Sequence, residues 1–321
     1  MNLHELIHRY GQRSATGVPD WMLGYFKRYS ISFANGETDL HTQVCWLQSR
    51  NFTIDLRLPI AAEQLPVKDW AEYSAEELCQ LGNYEGWEAL CDWEGDVLSW
   101  RDTDTSLQFH NRWVEPGILK RFGNCMIELA PSGAYVEDWR LQPSAPGVLA
   151  GLRLLEERNL ATGEVRHRGG GLIVCGDYAG LVLGRSHSIT PAQPYNALRS
   201  MAVAAQGQAE QLAALFNFET SVAQGSLQDG YQVILSTQPG RVGQSLCTLD
   251  GFELVDGTTA IEGGQVRQIL DCDGIPCERI FTIDTLEPRG DFSISTGFTP
   301  AAETWFAREA QTLTRYTKPV F

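Results

Sequence analysis

Phe52-Thr-Ile-Asp-Leu-Arg-Leu58 alternates apolar and polar residues without a break and is stopped by Pro59. Successive side chains of a strand point to opposite faces, so Phe52, Ile54, Leu56 and Leu58 share one face while Thr53, Asp55 and Arg57 share the other. Working outward, residues 25–33 alternate in the same way, Asn35-Gly36 centres a hairpin turn, residues 38–48 resume as a strand, and Ser49-Arg-Asn51 turns into the quoted segment. Downstream, a short helix is expected over 74–81. Strands then follow at 87–93, 97–101, 108–114, 120–129 and 134–141, with turns at Glu94-Gly-Asp96 and Pro131-Ser-Gly133. Many short strands joined by hairpin turns argue for an antiparallel up-and-down barrel.

The helix has a near copy. Ala75-Glu-Glu-Leu-Cys-Gln-Leu-Gly-Asn-Tyr-Glu85 and Ala209-Glu-Gln-Leu-Ala-Ala-Leu-Phe-Asn-Phe-Glu219 agree at Ala, Glu, Leu, Leu, Asn and Glu, and each runs straight into a strand-like segment. Between the copies, Pro143-Ser-Ala-Pro-Gly147 marks a boundary, after which the strand pattern restarts. The expectation is a mainly β chain of two tandem antiparallel up-and-down, lipocalin-like barrels, each with a short helix, plus a C-terminal helix. The corresponding divisions are a helical lead-in over 1–20, a first barrel over 21–142, a second over 147–298, and a helix and tail over 299–321.

Composition narrows the function. The 321 residues are 43% hydrophobic with 9 Trp, 13 Phe and 10 Tyr, enough for folded cores, and carry a net charge of −15. Both halves are acidic, with eleven acids against Arg101 alone between Asp69 and Asp104. A phosphate backbone needs clustered Lys and Arg, so nucleic acid and anionic membrane surfaces are poor partners. No apolar run of membrane-spanning length and no signal-like N-terminus is seen, which points to a soluble, cytoplasmic protein without membrane insertion. The eight cysteines read as reduced and largely buried.

Local motifs supply no cofactor. Asp102-Thr-Asp104 lacks the alternating helices of a phosphoaspartyl hydrolase, Gly184-Arg-Ser-His-Ser188 lacks the closing glycine of a nucleophile elbow, and Gly169-Gly-Gly171 has no Lys-Ser/Thr after it. Cys272 and Cys277 flank Asp-Gly-Ile-Pro without a second pair, and His4 and His8 sit on a short terminal helix; neither pair is read as a metal site. The stronger signal is parity. If the aliphatic face of residues 52–58 packs outward, Asp55 and Arg57 look inward together with Trp46, Gln48, Tyr135, Glu137 and Trp139, forming a polar and aromatic ligand cavity. On the alternative reading Asp55 and Arg57 are an exposed surface pair. Aligning the halves sets Leu181 and Leu183 against Asp55 and Arg57, and Glu278 against Glu137, so the first barrel is the preferred site.

Thr38 to Gln48, Ile54-Asp-Leu-Arg-Leu-Pro59, Trp93 to Trp100 and Tyr135-Val-Glu-Asp-Trp139 resemble a poorly characterised group of fungal and bacterial proteins with lipocalin-like (calycin-type) barrels, and in particular the fungal Hri-type proteins. The resemblance implies the two-barrel fold and no established reaction. Three functions remain open on these residues. The first is a non-catalytic binder of a small, partly apolar molecule in the first barrel. The second is an enzyme using Asp55 or Glu137 as a general base. The third is an interaction module meeting a protein partner through acidic surfaces or the Thr317-Lys-Pro-Val-Phe321 tail.

Overall fold

A computed structural model of the protein describes residues 1–101, 105–111, 115–123, 125–255 and 263–292, with 304, 307 and 308. The expected strand at 291–296 and most of the C-terminal helix lie outside these residues, as do Asp102, Asp104 and the tail.

The first sheet contains β1 (Gly24–Phe33), β2 (Thr42–Gln48), β3 (Phe52–Pro59), β4 (Glu85–Glu94), β5 (Val97–Trp100), β6 (Thr105–Ser106), β7 (Gly117–Phe122), β8 (Cys125–Leu129) and β9 (Tyr135–Leu141). Its order is β3-β2-β1-β9-β8-β7-β5-β4-β6, and β3 also pairs with β4, which closes eight strands into an antiparallel barrel with β6 as a short extension against β4. The expected strand at 120–129 is instead the hairpin of β7 and β8, turned at Gly123 with φ +60°. Residues 108–111 form no strand, so the barrel's eight strands are not the eight expected. The wall is thinnest between β5 and β7, which share only Val97↔Ile118 and Leu98↔Gly117.

The second sheet contains β10 (Gly147–Asn159), β11 (Val165–Cys175), β12 (Tyr178–Arg185), β13 (Glu219–Ser226), β14 (Gly230–Ser236), β15 (Phe252–Leu254), β16 (Gln265–Cys272) and β17 (Ile275–Gly290). Here the expected second barrel is corrected. The order β14-β13-β12-β11-β10-β17-β16-β15 leaves β14 and β15 as unjoined ends among the described residues, so this sheet is open. Its concave side is filled by aliphatic and aromatic residues, and the N-terminal helix α1 (Leu3–Tyr10) inserts Leu3, Leu6 and Ile7 into that core. The lead-in therefore packs on the second sheet, held by Met1 N donating to Phe252 O at 2.9 Å.

Helix α2 (Ala75–Leu81) is fixed by a capping box in which Ser74 and Glu77 satisfy each other's backbone N–H groups. Its counterpart is two helices, α3 (Ala197–Ala204) and α4 (Ala209–Leu215), where one was expected. The element order strand, helix, strand is common to β3-α2-β4 and β12-α3-α4-β13. α2 packs on α3, and Trp70 stacks on Phe216 at 5.0 Å beside α4.

The aliphatic face of β3 is covered by the second sheet. Phe52, Ile54 and Leu56 share one core with Leu149, Ile173, Val182 and Val222. Glycines allow the approach: a Cβ on Gly180 would meet Leu47 Cδ2 at 3.0 Å, and one on Gly171 would meet Phe52 Cε2 at 3.0 Å. Each such side chain, fully buried, stabilises the assembly by about 1.5–3 kcal/mol. The Ser49-Arg-Asn51 turn adds a polar clamp. Ser49 Oγ and Asn51 Nδ2 donate to Asp284 at 2.5 and 2.9 Å, and Arg50 donates through Nε and Nη2 to both oxygens of Glu287 at 2.6 and 3.0 Å.

Removing Glu287 leaves Arg50 with the exposed Asp20, whose Oδ1 lies 2.9 Å from Nη2, so the cost falls below that of a fully stranded buried charge, at about 2 kcal/mol. Glu287→Ala is accordingly expected to lower the urea-unfolding free energy by about that amount; a loss below about 1 kcal/mol would show that the clamp does not hold the sheets together.

Candidate functional site

The interior of the barrel follows from register. Side chains directly opposite one another in antiparallel strands share a face. Trp46 lies opposite Asp55, and Asp55 opposite Trp87; Arg57 lies opposite Glu85. Across the barrel Trp139 lies opposite Arg28, and Glu137 opposite Glu128. With the aliphatic face of β3 turned to the second sheet, all of these point inward. Trp46, Asp55, Arg57, Tyr135, Glu137 and Trp139, expected from sequence, line one cavity, joined by Thr53, Trp87, Trp100 and Glu128. The cavity measures about 20 Å³, room for about one water.

Gln48 belongs to a different layer. Its Oε1 accepts from Trp46 Nε1 at 2.8 Å and Thr53 Oγ1 at 2.7 Å, while Nε2 donates to Ser49 O and Phe52 O at 2.8 and 3.2 Å. An amide so engaged locks the Trp46 indole in place and lines no cavity; its expected role as a ligand contact is corrected to one of support.

The tryptophans form the walls. Trp46 meets Trp139 edge to face at 5.2 Å and Trp100 at 5.8 Å, and Trp87 meets Trp100 at 6.2 Å. Among them sits a buried charge network. Arg57 donates from Nε and Nη2 to both oxygens of Asp55 at 2.8 and 3.3 Å. Arg28 donates to Glu137 at 2.9 Å and to Asp39 at 2.8 Å. Glu128 accepts from Trp139 Nε1 at 2.9 Å and from Tyr135 Oη at 3.1 Å.

Burial penalises every charge here, and the network decides which survive. Burial and then the nearby Glu137 push the Glu128 carboxyl up to about 8, so it is a neutral acid at neutral pH. Burial also raises Asp55, opposed by Arg57. Burial works against the Arg57 charge, but Asp55 and Glu85 outweigh it and hold the guanidinium above its ordinary value. Burial, with Glu128 and Glu137, likewise raises the Tyr135 phenol. Asp55, Glu85, Glu128 and Glu137 are four buried acids around the two buried guanidiniums of Arg28 and Arg57, with Asp39 half-buried beside Arg28.

Glu85, Trp87, Trp100 and Glu128 were not anticipated. An acid inside Met126-Ile-Glu-Leu-Ala130 was the available signal, obscured because residues 120–129 read as one strand and the Gly123 turn resets parity.

The second sheet offers no equivalent among the described residues. Leu181 and Leu183 point into its apolar core, on the side corresponding to Asp55 and Arg57. Glu278 does not match Glu137: it lies beside the exposed Ile269, while Arg279 turns inward. Both acids stand four residues after a turn glycine, Gly133 and Gly274, yet Tyr135, Glu137 and Trp139 are the buried parity of β9 whereas Cys277, Arg279 and Phe281 are that of β17. Glu157, Cys272 and Cys277 cluster within 4.8 Å. Glu157 is already paired with Arg279 at 2.7 Å and Arg166 at 3.4 Å, and Arg166 also donates to Cys277 Sγ at 3.2 Å, so guanidiniums stand where a metal would. His4 and His8 are exposed on α1.

These features define a β-barrel protein with a small, closed, acid-rich and tryptophan-walled interior; no helix among the described residues is long and apolar enough to cross a membrane. No known protein family and no curated protein matches the chain in sequence. Among solved structures, an uncharacterised protein from Saccharomyces cerevisiae superposes with a TM-score of 0.43 at 12% identity, covering 82% of this chain and 98% of that one.

The Glu128 carboxyl gives a sign-definite test. Its folded pKa is raised to about 8, above the roughly 4.3 of an unfolded glutamate. The folded state therefore binds more protons between these values, and its contribution to stability is full below about pH 4 and falls as pH rises to about 8. Glu128→Gln, which mimics the neutral acid, is expected to remove that downward slope in urea unfolding and the buried carboxylic-acid band in the infrared. An unchanged slope would place the proton elsewhere.

Proposed function

We propose that this is a non-catalytic binding protein whose first barrel takes a small, partly apolar ligand carrying one positive charge. The supporting observation is the excess of buried carboxylates over guanidiniums inside four tryptophan walls, a combination that attracts a cation through both charge and ring faces. On this reading Asp55 and Glu137 attract the cation, Arg57 fixes the Asp55 carboxylate, and Trp46, Trp87, Trp100 and Trp139 enclose the apolar part. Space for about one water means that the ligand is amine-sized or opens the wall at the two-pair junction of β5 and β7. The lipocalin-like assignment, the Hri-type resemblance and the division at 143–147 belong to the same proposal, with the second sheet as a scaffold whose apolar core is already filled.

A cation beside Glu128 favours its ionised form, so binding releases a proton below about pH 8 and strengthens as pH rises toward it. A panel of small amines and carboxylates screened by thermal shift, followed by calorimetry, is expected to yield an amine whose affinity climbs between pH 6 and 8, and a Glu128→Gln protein that binds it without that climb. Carboxylates binding in preference to amines would overturn the charge assignment.

A second reading rests on the same Glu128. A carboxyl titrating near neutrality suits general acid-base work, in place of the Asp55 or Glu137 expected for that role. Turnover of the bound amine that stops in Glu128→Gln while binding persists would establish it; binding without turnover leaves the protein a binder.

A further inference from the structure

A larger cavity, about 580 Å³, lies where the β5–β7 connection of the first sheet meets β11 and β12 of the second. It brings together Gly169 and the Gly184-Arg-Ser-His-Ser188 segment, from two of the motifs that matched no known chemistry by sequence. A Cβ on Gly169, which has φ +71°, would meet Thr105 Oγ1 at 2.3 Å, so this glycine seats the first sheet's connection against the second. The gap beside that contact is the cavity.

Its lining is basic in a chain of net charge −15. Arg168 and Arg185 carry the charge, His110 and His187 stand beside them, and no carboxylate lines it among the described residues. Arg185 is the unusual member. Its guanidinium lies over Phe109 at 4.7 Å and donates to Leu215 O, Ser106 O and Leu107 O at 2.8, 3.1 and 2.7 Å. Three carbonyls orient the charge without neutralising it, and one N–H on each terminal nitrogen has no acceptor among the described residues. Burial alone lowers its pKa to about 10, with no carboxylate to offset it. Arg168 is more exposed, with Glu156 at 3.7 Å as its ion-pair partner.

Two acceptors in the lining are also unpartnered. Gln108, 5% exposed, uses Nε2 to donate to Gly82 O and Tyr84 O, which leaves its buried Oε1 without a donor. His110 Nδ1 stands 3.1 Å from Pro194 O; a carbonyl only accepts, so Nδ1 carries the proton and the buried Nε2 is an acceptor without a partner. Buried polar atoms are ordinarily paired. Both acceptors are sealed from solvent, so a side-chain rotation has to turn them to the cleft; a group that then supplies hydroxyl donors to Gln108 and His110 and negative charge to Arg185, with Arg168 beside it, pairs them all.

We propose that this cleft binds a small anionic polyol, a hydroxylated molecule bearing one phosphate or carboxylate, with Arg168 and Arg185 on the anionic group and Gln108 and His110 accepting from its hydroxyls. The site is separate from the barrel interior and independent of what the barrel binds. Calorimetric titration of the full chain with glycerophosphate, gluconate, inorganic phosphate and glycerol tests it. Either or both of glycerophosphate and gluconate are expected to bind at least about tenfold more tightly than inorganic phosphate or glycerol, and which one binds identifies the anionic group. Arg185 links the two sheets, so the variants are the more exposed Arg168→Glu and His110→Phe, with circular dichroism confirming their folds. Arg168→Glu should weaken the bound anion about tenfold or more, and His110→Phe should weaken the polyol anion but not inorganic phosphate. Failure of both polyol anions to bind, binding unchanged in Arg168→Glu, or inorganic phosphate binding as tightly as the polyol anions would overturn the proposal.

Discussion

The aliphatic face of β3 has to be covered by apolar surface, and the rest of the structure follows from what covers it. Phe52, Ile54, Leu56 and Leu58 are each at most 1% exposed. Phe52, Ile54 and Leu56 pack with the second sheet, next to glycines that admit their side chains. Because side chains alternate along a strand, this burial leaves Thr53, Asp55 and Arg57 nowhere to go but the barrel interior. Cross-strand register then carries the choice around the closed sheet, from Trp46 and Trp87 to Glu137 and Glu128. The polar interior is thus a consequence of the inter-sheet contact.

That consequence is costly, which is why it bears on function. Replacing a buried ion pair by well-packed apolar residues is often neutral or stabilising, and the second sheet takes that solution, with Leu181 and Leu183 in an aliphatic core plugged by α1. The first barrel instead retains several buried carboxylates, one of them neutral, around guanidiniums that leave a deficit of positive charge. Perturbed groups of this kind concentrate at functional sites. The inter-sheet cleft inverts the arrangement: among the described residues its lining holds arginines and lone acceptors and no carboxylate, and it is formed by segments of both sheets.

Much of the fold was legible. Alternation and Pro59 gave β1 and β3 to within a residue, whereas β2 starts at Thr42, four residues after the expected 38, and the helix expected over 74–81 is α2. Six of the seven residues expected from parity to share an interior line one cavity, because period-two alternation is a local property. Errors arose where parity did not carry across a turn. Gly123 split one expected strand into β7 and β8 and concealed Glu128; Glu278 stands level with Glu137 in its hairpin but falls on the opposite face, because Cys277, Arg279 and Phe281 are the buried parity of β17. Gln48 had the right parity and the wrong depth, a coordinate that alternation does not contain.

By itself the sequence determined the antiparallel β character, the helix copies and which residues of β3 travel together, since these rest on backbone geometry and short-range periodicity. Only the tertiary structure decided that one sheet closes and the other stays open, because closure depends on which end strands meet. It also decided which face of β3 is inside, since that depends on a partner surface that begins at Leu149, far along the chain. The same long-range packing set the Glu128 proton, through burial beside Glu137, and brought Gly169 together with Arg185 and His110 in one cleft. None of these contacts has a local signature, and each bears on what the protein binds.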